Sequence, residues 1–92
     1  MNRESAQILA LNALAFIAGD EKALNTLLTQ SGLTADEMRI AAASVSFQAG
    51  VLDFLTRHED VLIAFCETEN VDPSWPSRAL HELQSESSES NQ

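Results

Sequence analysis

Residues 54–72, FLTRHEDVLIAFCETENVD, hold the side chains of this chain that are best suited to chemistry. They include the only cysteine, Cys66, and one of the two histidines, His58. A cysteine beside a histidine base and acidic residues is the arrangement of a thiol nucleophile. Catalysis would require these side chains to meet, so whether they form a site depends on the helices or loops that carry them.

The spacing of these residues does not favour a catalytic or metal site. The segments HEDVL and HELQS both lack the second histidine, four residues on, of a zinc-protease helix. One cysteine and two histidines without paired spacing predict no metal site. The isolated glycines 19, 32 and 50 form no phosphate-binding loop. We expect no catalytic residue, no cofactor and no metal, with an enzyme built on Cys66 as the least favoured alternative.

The composition predicts an all-α protein. The chain has 92 residues, enough for one domain, and 45% of them are hydrophobic, chiefly Ala and Leu. Tyrosine is absent, and three Gly and two Pro are too few to form the turns that would separate many short strands.

The charge distribution limits the classes of ligand. The net charge is −9, of which −7 falls in residues 53–92. Five basic residues, no two adjacent, cannot form the cluster that phosphate groups require, so we expect neither nucleic acid nor membrane as a ligand. The acidic half either keeps the protein soluble or faces a basic partner protein.

No feature indicates export. A single cysteine cannot form an internal disulfide bond. The apolar run ILALNALAFIA, residues 8–18, is shorter than the ~20 residues that span a bilayer, and Glu4 opposes the charge of Arg3 before it. We expect a cytoplasmic protein.

Caps and stop signals predict six helices. Thr34 and Glu37 form a capping box, and Gly32 and Asn70 suit the left-handed position just past a helix end. The expected architecture is a compact bundle of five or six short helices in one domain, residues 1–83, followed by a disordered acidic Ser-rich tail, residues 84–92. The predicted helix starts are Ser5, Asp20, Thr34, Ser44, His58 or Glu59, and Asp72.

A shift of 38 residues brings the two halves into register. Apolar positions then coincide, as do the helix stops Gly32 and Asn70. We predict two pseudo-symmetric three-helix repeats, about residues 5–43 and 44–83. In this register Cys66 falls on the apolar Leu28, so we expect it to pack in the core. His58 falls on a helix start.

A helix-turn-helix is the main alternative. Residues 23–41 place two helices around a glycine turn, as DNA-binding regulators do. Leu28 is large where that motif needs a small residue, and Asp36 and Glu37 would repel phosphates at the start of the second helix.

Two features point to a contact surface. Trp75, flanked by two prolines, is either a lid over the second helix pair or an anchor for a partner. The first helix is apolar on nearly every side, so it is either central in the domain or partly covered by another chain. A homodimer is therefore one alternative. We predict a non-catalytic protein–protein interaction module, with a possibly basic partner. The candidate contact residues are Trp75, Asp53, Glu59, Asp60, Glu67 and Glu69.

Four blocks of the sequence stand out together: ALAFIA, SGLTADEMR, the segment from Phe47 to Leu55, and the segment from Pro73 to Ala79. In this order they resemble a small proteobacterial family known only as a domain of unknown function. The resemblance covers roughly residues 9–83 and implies a compact helical protein with no known activity or cofactor. Val45 stands where the family favours proline, which leaves open whether the third and fourth helices are continuous.

Overall fold

A computed structural model describes the backbone of residues 1–89 and the side chains of residues 1–84. Within that range the chain is all-α and contains no β-strand. Its six helices are α1 (Arg3–Ala18), α2 (Glu21–Ser31), α3 (Ala35–Ala41), α4 (Val45–Arg57), α5 (Glu59–Glu69) and α6 (Trp75–Glu89).

Polar caps start three of the six helices where the sequence predicts them, at Asp20, Thr34 and Ser44. Asp20 Oδ1 accepts from the amides of Lys22 and Ala23 at the start of α2. The predicted capping box of α3 is present: the Glu37 amide donates to Thr34 Oγ1 over 3.2 Å, and the Thr34 amide donates to Glu37 Oε1 over 2.9 Å. These bonds satisfy amides that have no partner inside the helix.

Two predicted helix starts are wrong. Asn2, not Ser5, caps α1, because Asn2 Oδ1 accepts from the Ser5 amide over 2.8 Å and the helix gains most of a turn. Helix α6 begins at Trp75 rather than directly after Asp72. Asp72 instead accepts two bonds from Ser74 in the turn before the helix.

The break at Ser44 is confirmed despite Val45. Helix α3 ends at Ala41, and Ser44 caps α4 by accepting from the Phe47 amide over 3.4 Å. The two helices meet at an angle of 115°. No single helix in the described part of the chain is long and apolar enough to cross a membrane, although this bent pair passes a test of length and composition.

Helices α1, α4 and α6 form the centre of the bundle, where each packs against the other two. Helix α2 packs on α1, and α5 packs on α4 and α1. The radius of gyration, 12.5 Å, matches the roughly 12 Å expected for a folded domain of this length. The largest fully buried side chains are Ile17, Val51, Leu52, Leu55, Phe65, Pro76 and Leu83.

Gln48 is a buried polar side chain on the core face of α4, with 5% of its surface exposed. Its Nε2 donates to the Ala42 carbonyl over 2.8 Å, which ties the end of α3 to α4. Its Oε1 has no hydrogen-bond donor among the described residues. Sequence reasoning did not single out this residue.

The two halves agree in their helix stops and differ in their third helices. Helices α2 and α5 have 11 residues each, and both end on a left-handed residue, Gly32 (φ 75°) and Asn70 (φ 55°). By contrast, α3 has seven residues and α6 has 15. The pseudo-symmetric repeat stays a prediction. The predicted tail boundary at residue 84 lies inside α6, and residues 90–92 lie outside the described residues, so the disorder of that tail is a prediction as well.

Candidate partner-binding surface

Trp75 is the first residue of α6, and 42% of its surface is exposed. The next residue, Pro76, is fully buried and anchors the start of the helix in the core. The indole therefore stands on a fixed backbone while much of it faces solvent. This intermediate exposure combines both interpretations from the sequence, a packed lid and an accessible anchor.

The turn before α6 is held by its own polar groups. Asp72 Oδ1 accepts from the Ser74 amide over 2.8 Å and from the Ser74 hydroxyl over 2.7 Å. These bonds, with a smaller effect of the Arg78 charge, lower the pKa of the Asp72 carboxyl. The Trp75 amide donates to the Asp72 carbonyl over 2.9 Å, so the tryptophan is positioned from both sides.

A groove runs between Trp75 and the exposed side of α1. We call it the Trp75 groove. It has a volume of about 230 Å³, and an adjoining hollow of about 300 Å³ shares Met1, Ser5 and Trp75 with it and adds Arg78. The groove is lined by Met1, Ser5, Ile8, Leu9, Asn12, Val71 and Trp75.

Two exposed apolar residues of the groove were not among the sequence candidates. Ile8 is 52% exposed, and Met1 is also exposed. The available signal was the apolar character of α1 on nearly every side, but the sequence did not say which side packs inward. Helix α1 turns out to be central, with an exposed apolar flank as well.

The five acidic candidates do not gather around Trp75. Glu67 and Glu69 are exposed near the end of α5, from which the chain leads to Trp75. Glu59 and Asp60 are exposed at the other end of that helix, about 15 Å away. Asp53 lies on α4 and pairs with Arg57 over 2.9 Å. Among the described residues, the lining of the Trp75 groove includes none of the five.

Asp53 belongs to a second groove, between α2, α3 and α4, with a volume of about 500 Å³. Leu27, Phe47 and Phe54 provide apolar walls, and the Asp53–Arg57 ion pair lies at its side. Because the Asp53 carboxylate and the Arg57 guanidinium neutralise each other, this groove presents little net charge to a partner.

Cys66 packs in the core as predicted. The thiol is buried, and burial together with the negative charge of Asp72 raises its pKa. A raised pKa keeps the thiol protonated at neutral pH, which is the opposite of what a nucleophile needs.

His58 joins α4 to α5. Its Nδ1 lies 2.9 Å from the Phe54 carbonyl and therefore donates to it, and its ring stacks on Phe54 with centroids 4.2 Å apart. Its Nε2 lies 3.3 Å from Gln30 Nε2 and accepts from that amide. Nδ1 thus serves the α4–α5 junction, and Nε2 ties that junction to α2. Among the described residues, no group of three or more His, Cys, Asp or Glu side chains is arranged to hold a metal ion.

The helix-turn-helix alternative gains no support from α2 and α3. Helix α3 has seven residues, and its first turn carries Asp36 and Glu37, the latter engaged in the capping box. An acidic first turn of this kind is unsuited to the phosphates of a DNA groove.

The fold and groove define a small all-α domain with an exposed, positioned tryptophan and no assembled catalytic group among its described residues. The chain belongs to a family described as "Protein of unknown function (DUF3572)", whose model matches residues 3–86. This agrees with the resemblance to an unknown-function family read from the sequence. Searches of curated proteins and of solved structures gave no significant match.

Proposed function

We propose that this chain is a non-catalytic protein–protein interaction module of the bacterial cytoplasm, and that its partner binds in the Trp75 groove. The observation that carries this is the half-exposed indole of Trp75 beside exposed Ile8 and Met1. Tryptophan is strongly enriched among residues that dominate binding energy, and an apolar neighbour completes the pocket that such an anchor needs.

The groove is preorganised, which favours binding. Pro76 is buried, the Asp72–Ser74 turn is closed by two hydrogen bonds, and the Trp75 amide is itself bonded. A partner therefore does not have to order this backbone, and less of the interaction energy is lost as entropy.

We expect the partner to be a basic amphipathic helix, because the lining of the Trp75 groove suits an apolar helix face and the net charge of the chain suits basic residues beside that face. An apolar side chain of that helix fits between Trp75 and Ile8, as anchors do in helix-in-groove complexes. Glu67 and Glu69 lie at the end of α5 nearest in the chain to Trp75, and the net charge of −9 attracts basic residues over a longer range. Arg78 at the rim selects against further basic residues on that side.

Non-catalytic action is supported by the state of Cys66. Its burial and raised pKa remove the one thiol of the chain from nucleophilic chemistry. The histidine nearest in sequence, His58, is engaged with the Phe54 carbonyl and with Gln30.

A capture experiment with a matched control tests the proposal. Tagged wild type, Trp75→Ala and Ile63→Ala are incubated with lysate of the source bacterium at low and high salt, and captured proteins are identified. Ile63 is a suitable control because it is 45% exposed and lies on α5, outside the Trp75 groove. We expect one protein that wild type and Ile63→Ala capture equally and Trp75→Ala does not.

The interaction is then measured with the purified partner. Trp75 is the only tryptophan in the chain, so its emission reports directly on the groove when the partner has no tryptophan of its own. We expect a blue shift on binding and at least a tenfold weaker Kd for Trp75→Ala, measured calorimetrically. A captured partner that binds Trp75→Ala as tightly as wild type would show that the groove is not its site.

A further inference from the structure

Helix α3 is held in the bundle by few of its own side chains. Of its seven residues only Met38 is buried, and the apolar Ile40 is 79% exposed. Met38 is one of sixteen buried apolar residues in the described part of the chain, and the other fifteen lie on the other five helices. Because a helix of this length is not stable alone in water, α3 depends on Met38 being seated in the core.

The end of α3 has a polar attachment to the core through Gln48. Gln48 Nε2 donates to the Ala42 carbonyl over 2.8 Å, while Oε1 of the same buried amide has no donor among the described residues. A buried acceptor without a donor destabilises the conformation that buries it, because the same acceptor would be hydrogen-bonded in water. Movement of Ala42 away from Gln48 opens this amide to water. The bond that holds the end of α3 is therefore offset by the acceptor that stays unsatisfied beside it.

We propose that α3 is a lid, which detaches from the bundle as a unit while the other five helices stay folded. The moving segment is residues 34–43. Gly32 ends α2 directly before this segment, and Ser44 caps α4 directly after it, so neither neighbouring helix needs α3 to complete its end. The chain at these two junctions supplies the hinges. Detachment withdraws from the core only Met38, together with the bond from Gln48.

Opening of the lid changes the second groove, the one between α2, α3 and α4. Ala41 at the end of α3 and Leu33 before it contribute to the lining of this groove, together with Leu27 and Phe54. Met38 belongs to the same buried cluster as Leu27 and Phe54. When the lid detaches, the groove loses one wall and gains the space that Met38 occupied, so it becomes wider and deeper. Helix α3 thereby controls access to the apolar floor of this groove.

Native-state hydrogen exchange followed by NMR tests the lid. The helix-bonded amides of α3, residues 38–42, should share one opening equilibrium. Relative to an unstructured peptide, they should exchange at least about 100-fold faster than the amides of Leu52 and Leu55, which are buried on α4. Low concentrations of urea should accelerate exchange in α4 but hardly in α3, because a local opening exposes little surface. Protection of α3 equal to that of α4, with the same dependence on urea, overturns the proposal.

A core substitution outside the lid separates local opening from unfolding of the whole domain. Ile17 is fully buried on α1, so Ile17→Val weakens the core. This variant should accelerate exchange in α4 and leave exchange in α3 unchanged, since the core stays folded when the lid opens. Equal acceleration in α3 and α4 would mean that α3 opens only when the domain unfolds, and it overturns the proposal.

Two substitutions within α3 test what holds the lid closed. Met38→Ala should accelerate exchange in α3 by about tenfold or more, because it removes the buried side chain of the lid. Ile40→Ala is the matched control, which should change that exchange by no more than about twofold, since Ile40 is exposed on the same helix. A Met38→Ala variant whose α3 exchanges like that of wild type overturns the proposal. The lining of the second groove and that of the Trp75 groove share no residue, so partner capture through Trp75 is tested separately.

Discussion

At the scale of single residues, Cys66 and Asp72 show how neighbouring groups take opposite pKa shifts. The Cys66 thiol is buried, which disfavours its anion and raises its pKa. Asp72 is exposed and accepts two hydrogen bonds from Ser74, which stabilise its anion and lower its pKa. The Asp72 charge adds to the effect on Cys66. The segment that seemed most reactive in the sequence therefore contains a protonated core thiol beside a structural carboxylate.

The state of Cys66 predicts slow alkylation. At pH 8 iodoacetamide should modify folded wild type at least about 100-fold more slowly than protein unfolded in guanidinium, because attack requires an exposed thiolate. The alkylation rate of Cys66 should also increase over a higher pH range than that of a free cysteine, since the raised pKa shifts ionisation of the thiol to higher pH. Mass spectrometry at timed intervals measures the modification.

Ser77→Cys provides the control for that experiment, because residue 77 is exposed on α6. In this variant the added thiol should react quickly while Cys66 stays unmodified, which peptide mapping distinguishes. If Cys66 reacts as quickly as the thiol at residue 77, an activated cysteine, and with it the enzyme alternative, returns to consideration.

At the scale of elements, Gly32 and Gly50 differ in why glycine occupies the position. The backbone conformation requires glycine at Gly32, whereas the helix at Gly50 only tolerates it. Gly32 ends α2 with φ at 75°, a conformation that side chains with a Cβ adopt only with strain. Gly50 lies inside α4, where glycine only adds chain entropy to the unfolded state. A Cβ atom at either position would have no non-neighbouring atom within 4 Å, so steric packing does not explain either glycine.

Substitution by alanine should therefore change the free energy of unfolding in opposite directions at the two positions. Gly32→Ala is expected to lower the free energy of unfolding by about 1 kcal/mol, the cost of a left-handed residue. Gly50→Ala is expected to raise it by about 0.5–1 kcal/mol, because alanine favours the helix. Urea denaturation followed by circular dichroism measures both.

The result at Gly50 has a second use. If Gly50→Ala destabilised the protein, an atom would have to approach that backbone from outside the single chain, contrary to the open space seen at the α4 surface. A neutral result at Gly32 would mean that the end of α2 relaxes out of the left-handed conformation.

At the scale of the whole molecule, the excess of acids opposes folding. The net charge of −9 is spread over a domain with principal dimensions of 39 × 29 × 19 Å, so like charges lie within a Debye length of one another at low salt. Few cations are available to offset them, since the chain has five Lys and Arg against 14 Asp and Glu.

Stability should accordingly rise with ionic strength. Between roughly 10 and 200 mM NaCl at pH 7, we expect the Tm to increase by about 3–6 °C, because salt screens repulsion more than it weakens the Asp53–Arg57 ion pair. Calorimetry at low protein concentration measures this. A Tm that falls with salt would mean that attractive pairs outweigh the repulsion.

Much of the local architecture was predictable, because helix ends obey local rules. A cap needs a side-chain oxygen within three residues of a free amide, and a left-handed stop needs Gly or Asn. The ends at Gly32 and Asn70 and the capping box at Thr34 follow from those rules. The start of α1 was misplaced because Asn2 and Ser5 both qualify as caps, and only the structure shows the bond from the Ser5 amide to Asn2.

The sequence by itself thus determined the all-α class, most helix limits and the burial of Cys66, since these depend on neighbours in the chain and on apolar periodicity. Only the tertiary structure decided which flank of α1 is buried, how far Trp75 is exposed, and that Gln48 enters the core. A helix with two apolar sides does not reveal which one its neighbours cover. That choice is made by α4, α5 and α6, which lie far along the chain and meet α1 only in the folded bundle.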